Sequence, residues 1–468
     1  TQTGHNGENT MKKLLLVSTA IAGVALMSAP ASAAVKLDLG GFFRGYGAYA
    51  DNNEVGFSTT ASTATTGAIA SAAAASLHQF EFRRDSELHA NGETTLDNGL
   101  TIGAHSEMKV ANGSSAFTTD ETYGYASGGW GRINLGVEDG AAYLLQIAAP
   151  SADSNIDGIR TNIAAKNASF TVANYGVGLL ASDSANSYLA NGTGAVVGLS
   201  GNAGYQQADY RATDRLTYLT PKFNGFQAGV SYAPKSGITS QTGAMSTDGG
   251  ITDVIDLWEA SARWDGEYQG FGLSVGGGYS DSSLGRTPVQ ADLANAGTNL
   301  GAAGGPIPLQ ADGLQTWNGG ASVSFSGFTL GGDYVESGTK NMLGIGTSGD
   351  DNGDTVASVE YLDVTQTTYV VGLGYDNGPY HVGGSYLNSN TERDATTGVW
   401  VAAGGSNDPG ASLKVDYTTE QYALGGGYTF GPGMTFRGAV AWGTNDNGLY
   451  NNLNNDFTQV TVGTDVQF

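Results

Sequence analysis

From Asp214 to Pro234 (DRLTYLTPKFNGFQAGVSYAP), Leu216, Tyr218 and Thr220 alternate with Arg215, Thr217 and Leu219. After Asn224-Gly225, Phe226, Ala228, Val230 and Tyr232 alternate with Gln227, Gly229 and Ser231. Period-two alternation about an Asn-Gly centre predicts a β-hairpin with one apolar, aromatic face and one small, polar face. In a soluble sandwich the apolar face would meet a core. In a membrane barrel it would meet lipid, and the polar face would line water. Phe223 and Phe226 flank the turn, and Tyr232 sits near the other end. Rings at both edges of an apolar band suit a bilayer interface.

The unit repeats. Tyr268-Gln269-Gly270-Phe271, Phe325-Ser326-Gly327-Phe328, Tyr375-Asp376-Asn377-Gly378-Pro379-Tyr380 and Phe430-Gly431-Pro432-Gly433-Met434-Thr435-Phe436 each join two alternating runs. Leu96-Asp97-Asn98-Gly99-Leu100 follows the same logic with leucines. The pattern predicts strand 1 near Leu37–Tyr49, then strands 2 and 3 about Asp97-Asn98-Gly99. Strands 4 and 5 are Glu121–Ser127 and Gly131–Glu138; the Asp214 hairpin gives strands 6 and 7. The four later repeats give strands 8 to 15, and Phe457–Phe468 is strand 16. Short turns alternate with long loops, one of them an Ala/Ser/Thr-rich stretch from Phe57 to Leu77. The expected fold is all-β, a transmembrane antiparallel β-barrel of sixteen strands.

Composition sharpens this. Residues 1–10 read as an upstream extension and 11–33 as a signal peptide, leaving 34–468 as the barrel. Lys12 and Lys13 precede the apolar run Leu14 to Met27, and Ala31-Ser32-Ala33 forms an A-x-A site with cleavage between Ala33 and Ala34. A membrane anchor would need a longer run. The leader implies export across the inner membrane of a Gram-negative-type cell; together with the barrel pattern this makes the bacterial outer membrane, reached through the periplasm, the expected location. With no Cys there is no disulfide framework and no thiolate metal site. The 435 residues after the leader leave roughly 27 per strand, against about 9–11 needed to cross, and the surplus goes to outer loops. Net charge is −24, or −25 without Glu8, Lys12 and Lys13, which disfavours a nucleic-acid partner.

Several stretches carry a resemblance: GGFFRGYGAY, LDNGLTIGAHSEM, SGGWGRINLGVED, DRLTYLTPKFNGFQAGVSYAP and the ending VTVGTDVQF with its terminal Phe468. The chain resembles a general bacterial porin of the sixteen-stranded, trimeric kind. The match covers both ends and the first half; strands 8 to 15 match in pattern more than in motif. The resemblance implies a homotrimer, an aqueous pore for small hydrophilic solutes and ions, and a long third loop folded into the lumen. It also implies contact with outer-membrane lipid and, through Phe468 as an assembly signal, with the barrel assembly machinery. The apolar strand faces near strands 1 and 16 are available to a neighbouring copy.

The third loop begins at Glu138-Asp139, and Tyr143–Ala149 (YLLQIAA) is expected to pack as a short helix inside the barrel. Glu138, Asp139, Asp153 and Asp157 are its candidate acidic groups; an ordinary solvated outer loop is the alternative. No Pro-Glu-Phe-Gly-type turn marks its tip. Alternation turns Arg44, Arg83, Lys109 and Arg132 inward, together with Glu81, Asp85, Glu87 and Glu107. An Arg facing lipid at mid-depth costs about 2–4 kcal/mol, which favours the inward assignment. A basic wall facing an acidic loop would set a transverse field across the constriction. Local pairing of Arg83 with Asp85 or Glu87 is the blander alternative. Acidic loops against a basic wall predict weak cation selectivity that falls as salt rises.

Asp350, Asp351 and Asp354 form an oxygen-rich cluster in an outer loop, a candidate Ca2+ site without EF-hand spacing. No other cofactor is implied. His78, His89, His105 and His381 show no metal-ligand spacing. His381 and Ser385 share a strand face, but no third orienting group is evident in the sequence, so an enzyme is a minor reading. A solute-specific channel would show a ladder of lumenal aromatics or arginines. A secreted β-rich adhesin would lack the ring-flanked turns and the terminal Phe. A passive-diffusion channel fits the small, polar inner face best.

Overall fold

The hairpin turns carry the backbone their residues foretold. Asn224-Gly225, Gln269-Gly270 and Ser326-Gly327 all have positive φ at both central positions. This mirror-image turn matches the right-handed twist of paired strands. Gly225, at φ 85°, also lies so close to Asp265 that any Cβ would overlap its carbonyl oxygen.

The computed structural model describes residues 35–52, 79–110, 118–161, 163, 204–207, 213–236, 254–284, 313–349, 355–399, 409–447 and 455–468. The first strands are β1 (Lys36–Asn52), β2 (Phe80–Thr95), β3 (Thr101–Lys109), β4 (Thr118–Gly128) and β5 (Gly131–Glu138). Then come two short helices, α1 (Ala141–Leu144) and α2 (Ser154–Asp157). Next are β6 (Thr213–Leu219), β7 (Phe226–Lys235), β8 (Val254–Tyr268), β9 (Phe271–Leu284), β10 (Gln315–Phe325) and β11 (Phe328–Gly349). The chain ends with β12 (Thr355–Asn377), β13 (Tyr380–Val399), β14 (Pro409–Gly431), β15 (Met434–Asn447) and β16 (Asn455–Gln467).

All sixteen strands form one closed antiparallel barrel, in which each pairs with its neighbours in sequence and β1 pairs with β16. At the seam Gly41 N donates to Phe468 O at 2.9 Å and Phe468 N donates to Gly41 O at 3.1 Å. Closure leaves no edge, the condition a sheet must meet to cross a bilayer. No described helix is long and apolar enough to cross a membrane.

The outer face is apolar. Leu135, Leu216, Val275, Leu330, Val371, Leu373, Leu424 and Val462 are exposed along it. Aromatic pairs mark both edges. At the turns Phe271 stacks on Phe325 at 4.5 Å and Phe328 packs on Tyr375 at 4.4 Å. Further along the strands Tyr232 meets Trp258 at 4.3 Å and Trp317 meets Tyr334 at 4.7 Å. Such girdles sit at the two interfaces of a membrane.

Two expectations need adjustment. Glu138 is the last residue of β5, not part of the loop, and pairs there with Thr213. The helix expected at Tyr143–Ala149 is instead Ala141–Leu144. Its start is set by Ser231 Oγ, which accepts from Ala141 N, and its end by Gln146, whose side chain turns away to Asp333 and the Tyr205 carbonyl. The stretch 57–77, the leader with Ala33 and Ala34, and Asp350, Asp351 and Asp354 lie outside the described residues.

Gly225→Ala should destabilise the barrel by more than about 1 kcal/mol, because the native φ is unsuited to a side chain. Denaturant unfolding in micelles, beside the wild type, measures this; an unchanged midpoint would refute the turn assignment.

Candidate functional site

The segment after β5 lies against the strand faces opposite the apolar exterior. At its start Gly140 rests on the buried pair Arg215–Glu259, 2.9 Å apart, and a Cβ there would overlap both side chains. Glu259 also accepts from Ala142 N at 3.1 Å, and Ser261 Oγ donates to Ala141 O at 2.6 Å. These contacts fix α1 against β7 and β8.

Beyond α1 the segment follows the wall. Ile147 is fully buried, and Gln207 donates to Ser280 Oγ and the Thr316 carbonyl, both at 3.0 Å. At Gly372 and Gly383 the carbonyls of Pro150 and Ser151 come so close that a Cβ at either glycine would overlap them. His381 Nε2 donates to Ser151 O at 3.0 Å. At the far end Tyr46 OH donates to Asp153 Oδ2 at 2.8 Å, Arg437 reaches Asp153 Oδ1 at 3.3 Å, and Ser385 Oγ donates to Asp157 Oδ2 at 2.6 Å. Asp153 is also the N-cap of α2, accepting from Asn155 N at 3.0 Å. The segment thus has hydrogen-bond partners on β1, β7 to β11, β13 and β15.

The four candidate acids are all buried, and each has a partner. Glu138 accepts from Asn134 Nδ2 at 2.7 Å. Asp139 takes both nitrogens of Arg160, at 2.7 and 3.0 Å, while that guanidinium stacks 3.7 Å over Tyr143. Asp153 and Asp157 are 1% and 2% exposed and serve as anchors. Burial pushes the Asp157 carboxyl up to about 6, against the hydrogen bonds from Ser385, Ala152 and Asp153 that favour its ionised form.

The four candidate cations are likewise paired locally. Arg44 lies 3.0 Å from Asp85 and 3.7 Å from Asp465, stacked over Phe42. Arg83 pairs with Glu81 at 2.7 Å, half exposed, rather than with Asp85 or Glu87. Lys109 lies between Asp120 at 3.3 Å and Glu87 at 3.8 Å. Arg132 stacks 3.9 Å over Tyr125 and donates to Asn134 at 2.7 Å. These neighbours, rather than the loop acids, hold the four cations, although Asn134 links Arg132 to Glu138 by accepting from the one and donating to the other at 2.7 Å each. His381 and Ser385 do not meet: Asp376 holds His381 Nδ1 at 2.8 Å, and Ser385 is engaged by Asp157. Asp376 is the orienting group the sequence did not reveal.

Arg215, Glu259, Arg437 and Tyr46 were missed in the sequence. Each alternates with an apolar neighbour, as Arg215 does with Leu216 and Arg437 with Phe436. The parity that turned Arg44 inward reaches all four.

An apolar, aromatic-rimmed, edgeless barrel with a polar interior is the architecture of an outer-membrane channel. A family model described as Gram-negative porin matches residues 18–448. The chain belongs to the Gram-negative porin family, and it is an outer-membrane channel for passive diffusion. A search of curated proteins finds no match. Among solved structures it is similar to the anion-selective porin from Comamonas acidovorans, at 15% identity and TM-score 0.48, over 93% of this chain and 100% of that one. It is also similar to in-vitro folded OmpT of Vibrio cholerae in its trimer form, at 11% identity and TM-score 0.47, over 93% and 100%. A mutant of Rh. blastica porin matches at 14% identity and TM-score 0.43, over 92% and 100%.

Replacing both side-chain donors to Asp153, as in Tyr46→Phe with Arg437→Ser, should loosen the segment while the barrel stays closed. Limited proteolysis should then cut between residues 139 and 163 in the variant only; equal resistance would show that these donors are not anchors. For Asp157 the folded value lies above the unfolded one, so the contribution is full at low pH and lost as pH rises through about 6. Wild type should therefore gain stability relative to Asp157→Asn as pH falls from 7 to 4, read from thermal unfolding. A constant difference would contradict it.

Proposed function

We propose that the segment 139–163 crosses the lumen and sets the constriction of this channel. The supporting observation is its chain of anchors on β1, β7, β8, β10, β11, β13 and β15, which leaves β2 to β5 as the wall opposite. The open passage then lies between the segment and that wall. Solutes are selected by size and polarity, without a dedicated solute site.

The passage wall is mixed in charge. Lys109 and Arg132 face Glu87, Glu93, Glu107 and Glu121, while Asp153 and Asp157 serve as anchors. The net charge of −24 adds acidic loops at the mouth. Both favour a weak preference for cations.

The functional unit is a homotrimer in outer-membrane lipid. On the outer face of β2 to β4 the apolar band gives way to Ser86, Ala90, Ser106, Thr122 and Gly124, with Arg84 exposed opposite Gly45. Ser106 and Thr122 share a hydrogen bond of 3.1 Å there. Polar groups facing hydrocarbon are costly, and a neighbouring copy removes that cost. Phe468, which closes the seam, is the natural signal to the barrel assembly machinery.

Planar-bilayer recording tests the reading. A salt gradient should give a small cation-selective reversal potential that shrinks as salt rises, and Lys109→Ser with Arg132→Ser should enlarge it. An anion-selective potential, or one unmoved by that variant, would contradict the assignment. Unboiled protein should run on gels as a trimer that heat converts to monomer; a monomer mass in mild detergent would remove the trimer.

A further inference from the structure

Strand register brings together histidines that the linear sequence keeps apart. His89 on β2 stands directly opposite Glu107 on β3, and Glu107 directly opposite Glu121 on β4. His105 lies two residues before Glu107 on the same face of β3. Its Nε2 is 3.0 Å from Glu107 Oε1, and His89 Nδ1 is 3.7 Å from the same oxygen. The ligand atoms of His105, Glu107 and Glu121 lie within 4.8 Å of one another, as do those of Glu87, His89 and Glu107. The two groups share Glu107.

Three observations point to a cation. Two glutamates directly opposed across a sheet destabilise it, yet Glu107 and Glu121 are so placed. Lys109, the nearest ammonium on β3, is engaged by Asp120 and Glu87, and Arg160, the guanidinium whose charge acts on Glu121, is held by Asp139 at 2.7 and 3.0 Å. His105 is 3% exposed, with its ring fixed 5.2 Å from that of Tyr123. His89 Nε2 lies 3.2 Å from Glu87, the carboxylate-to-imidazole contact that orients a metal-binding histidine.

The donor set selects the ion. Imidazole and carboxylate together suit Zn2+ and its neighbours, whereas Ca2+ takes six to eight oxygens. Ligands at roughly 2.0–2.2 Å from a tetrahedral Zn2+ stand about 3.4 Å apart. The contacts at 3.0 and 3.7 Å are close to that edge.

We propose that the β2–β4 wall holds one transition-metal ion of the Zn2+ class. His105 Nε2, Glu107 and Glu121 are its ligands, His89 Nδ1 swings in as the fourth, and Glu87 orients His89. The bound ion puts two positive charges on the wall, reducing conductance and cation preference. This effect on current rests on the reading that β2 to β5 lines the open passage; binding itself does not.

Calorimetry on the detergent-solubilised full chain tests the site with Zn2+ alone. One ion should bind per chain and Ca2+ at the same concentration should not compete. His105→Ala should weaken Zn2+ by at least about tenfold, since even outer partners are worth that much, while a heat-shifted gel band confirms a folded barrel. Should that variant not fold, Co2+ added to the wild type reports the same site: intense tetrahedral visible absorption supports it, and a pale octahedral spectrum overturns it. Equal competition by Ca2+, or unchanged affinity in folded His105→Ala, also overturns it. In bilayers Zn2+ should lower single-channel current; binding without any change in current would leave the site standing and remove the reading of the passage.

Discussion

Everything here depends on the absence of water in the hydrocarbon core of a membrane. A backbone N–H or C=O exposed there has no partner, so a sheet that crosses must close on itself. The seam between β1 and β16 meets that demand down to the last residue, where Phe468 and Gly41 exchange two backbone hydrogen bonds. Gly41 is required at this point, because a Cβ would overlap the Glu87 carbonyl of β2. The alternating sequence follows from closure: one face must dissolve in lipid, and the other is then free for polar chemistry.

That polar face does two kinds of work. From β7 round to β1 its side chains hold the segment after β5, and they do so with groups that would otherwise be costly to bury. Arg215 with Glu259, and Arg437 with Asp153 and Asp465, are ion pairs whose carboxylates are almost wholly buried. A buried pair adds little net stability over apolar packing, but losing one partner is severely destabilising. Such pairs therefore fix where the segment sits more than how stable the barrel is. On β2 to β4 the inner face instead brings acids, imidazoles and a lysine within reach of one another.

Much of the barrel was legible in the sequence because alternation is a local property. The strand count, the turns and the inward set Arg44, Arg83, Lys109 and Arg132 all come from parity and turn residues. The partners of those side chains were not legible, since they depend on register between strands. Arg44 meets Asp85 from 41 residues away, and Asp153 meets Arg437 from 284. The path of the segment was the least legible part. It has no periodicity of its own, and its apolar run YLLQIAA resembles a helix although Ile147 and Ala149 pack individually against the wall. Of the four acids, Asp153 and Asp157 bond to β1, β13 and β15, partners that only the fold brings near. His89 and His105 looked unrelated at a spacing of sixteen residues, yet both lie against Glu107.

The chain contains no cysteine, so single introduced cysteines report water access without background. A charged thiol reagent applied during single-channel recording would probe three kinds of position: Glu93→Cys on β2, Ser261→Cys beneath the segment on β8, and Leu135→Cys on the apolar face. A stepwise loss of current is expected at residue 93 alone. Equal modification at 261, or none at 93, would contradict a passage bounded by the segment on one side and β2 to β5 on the other.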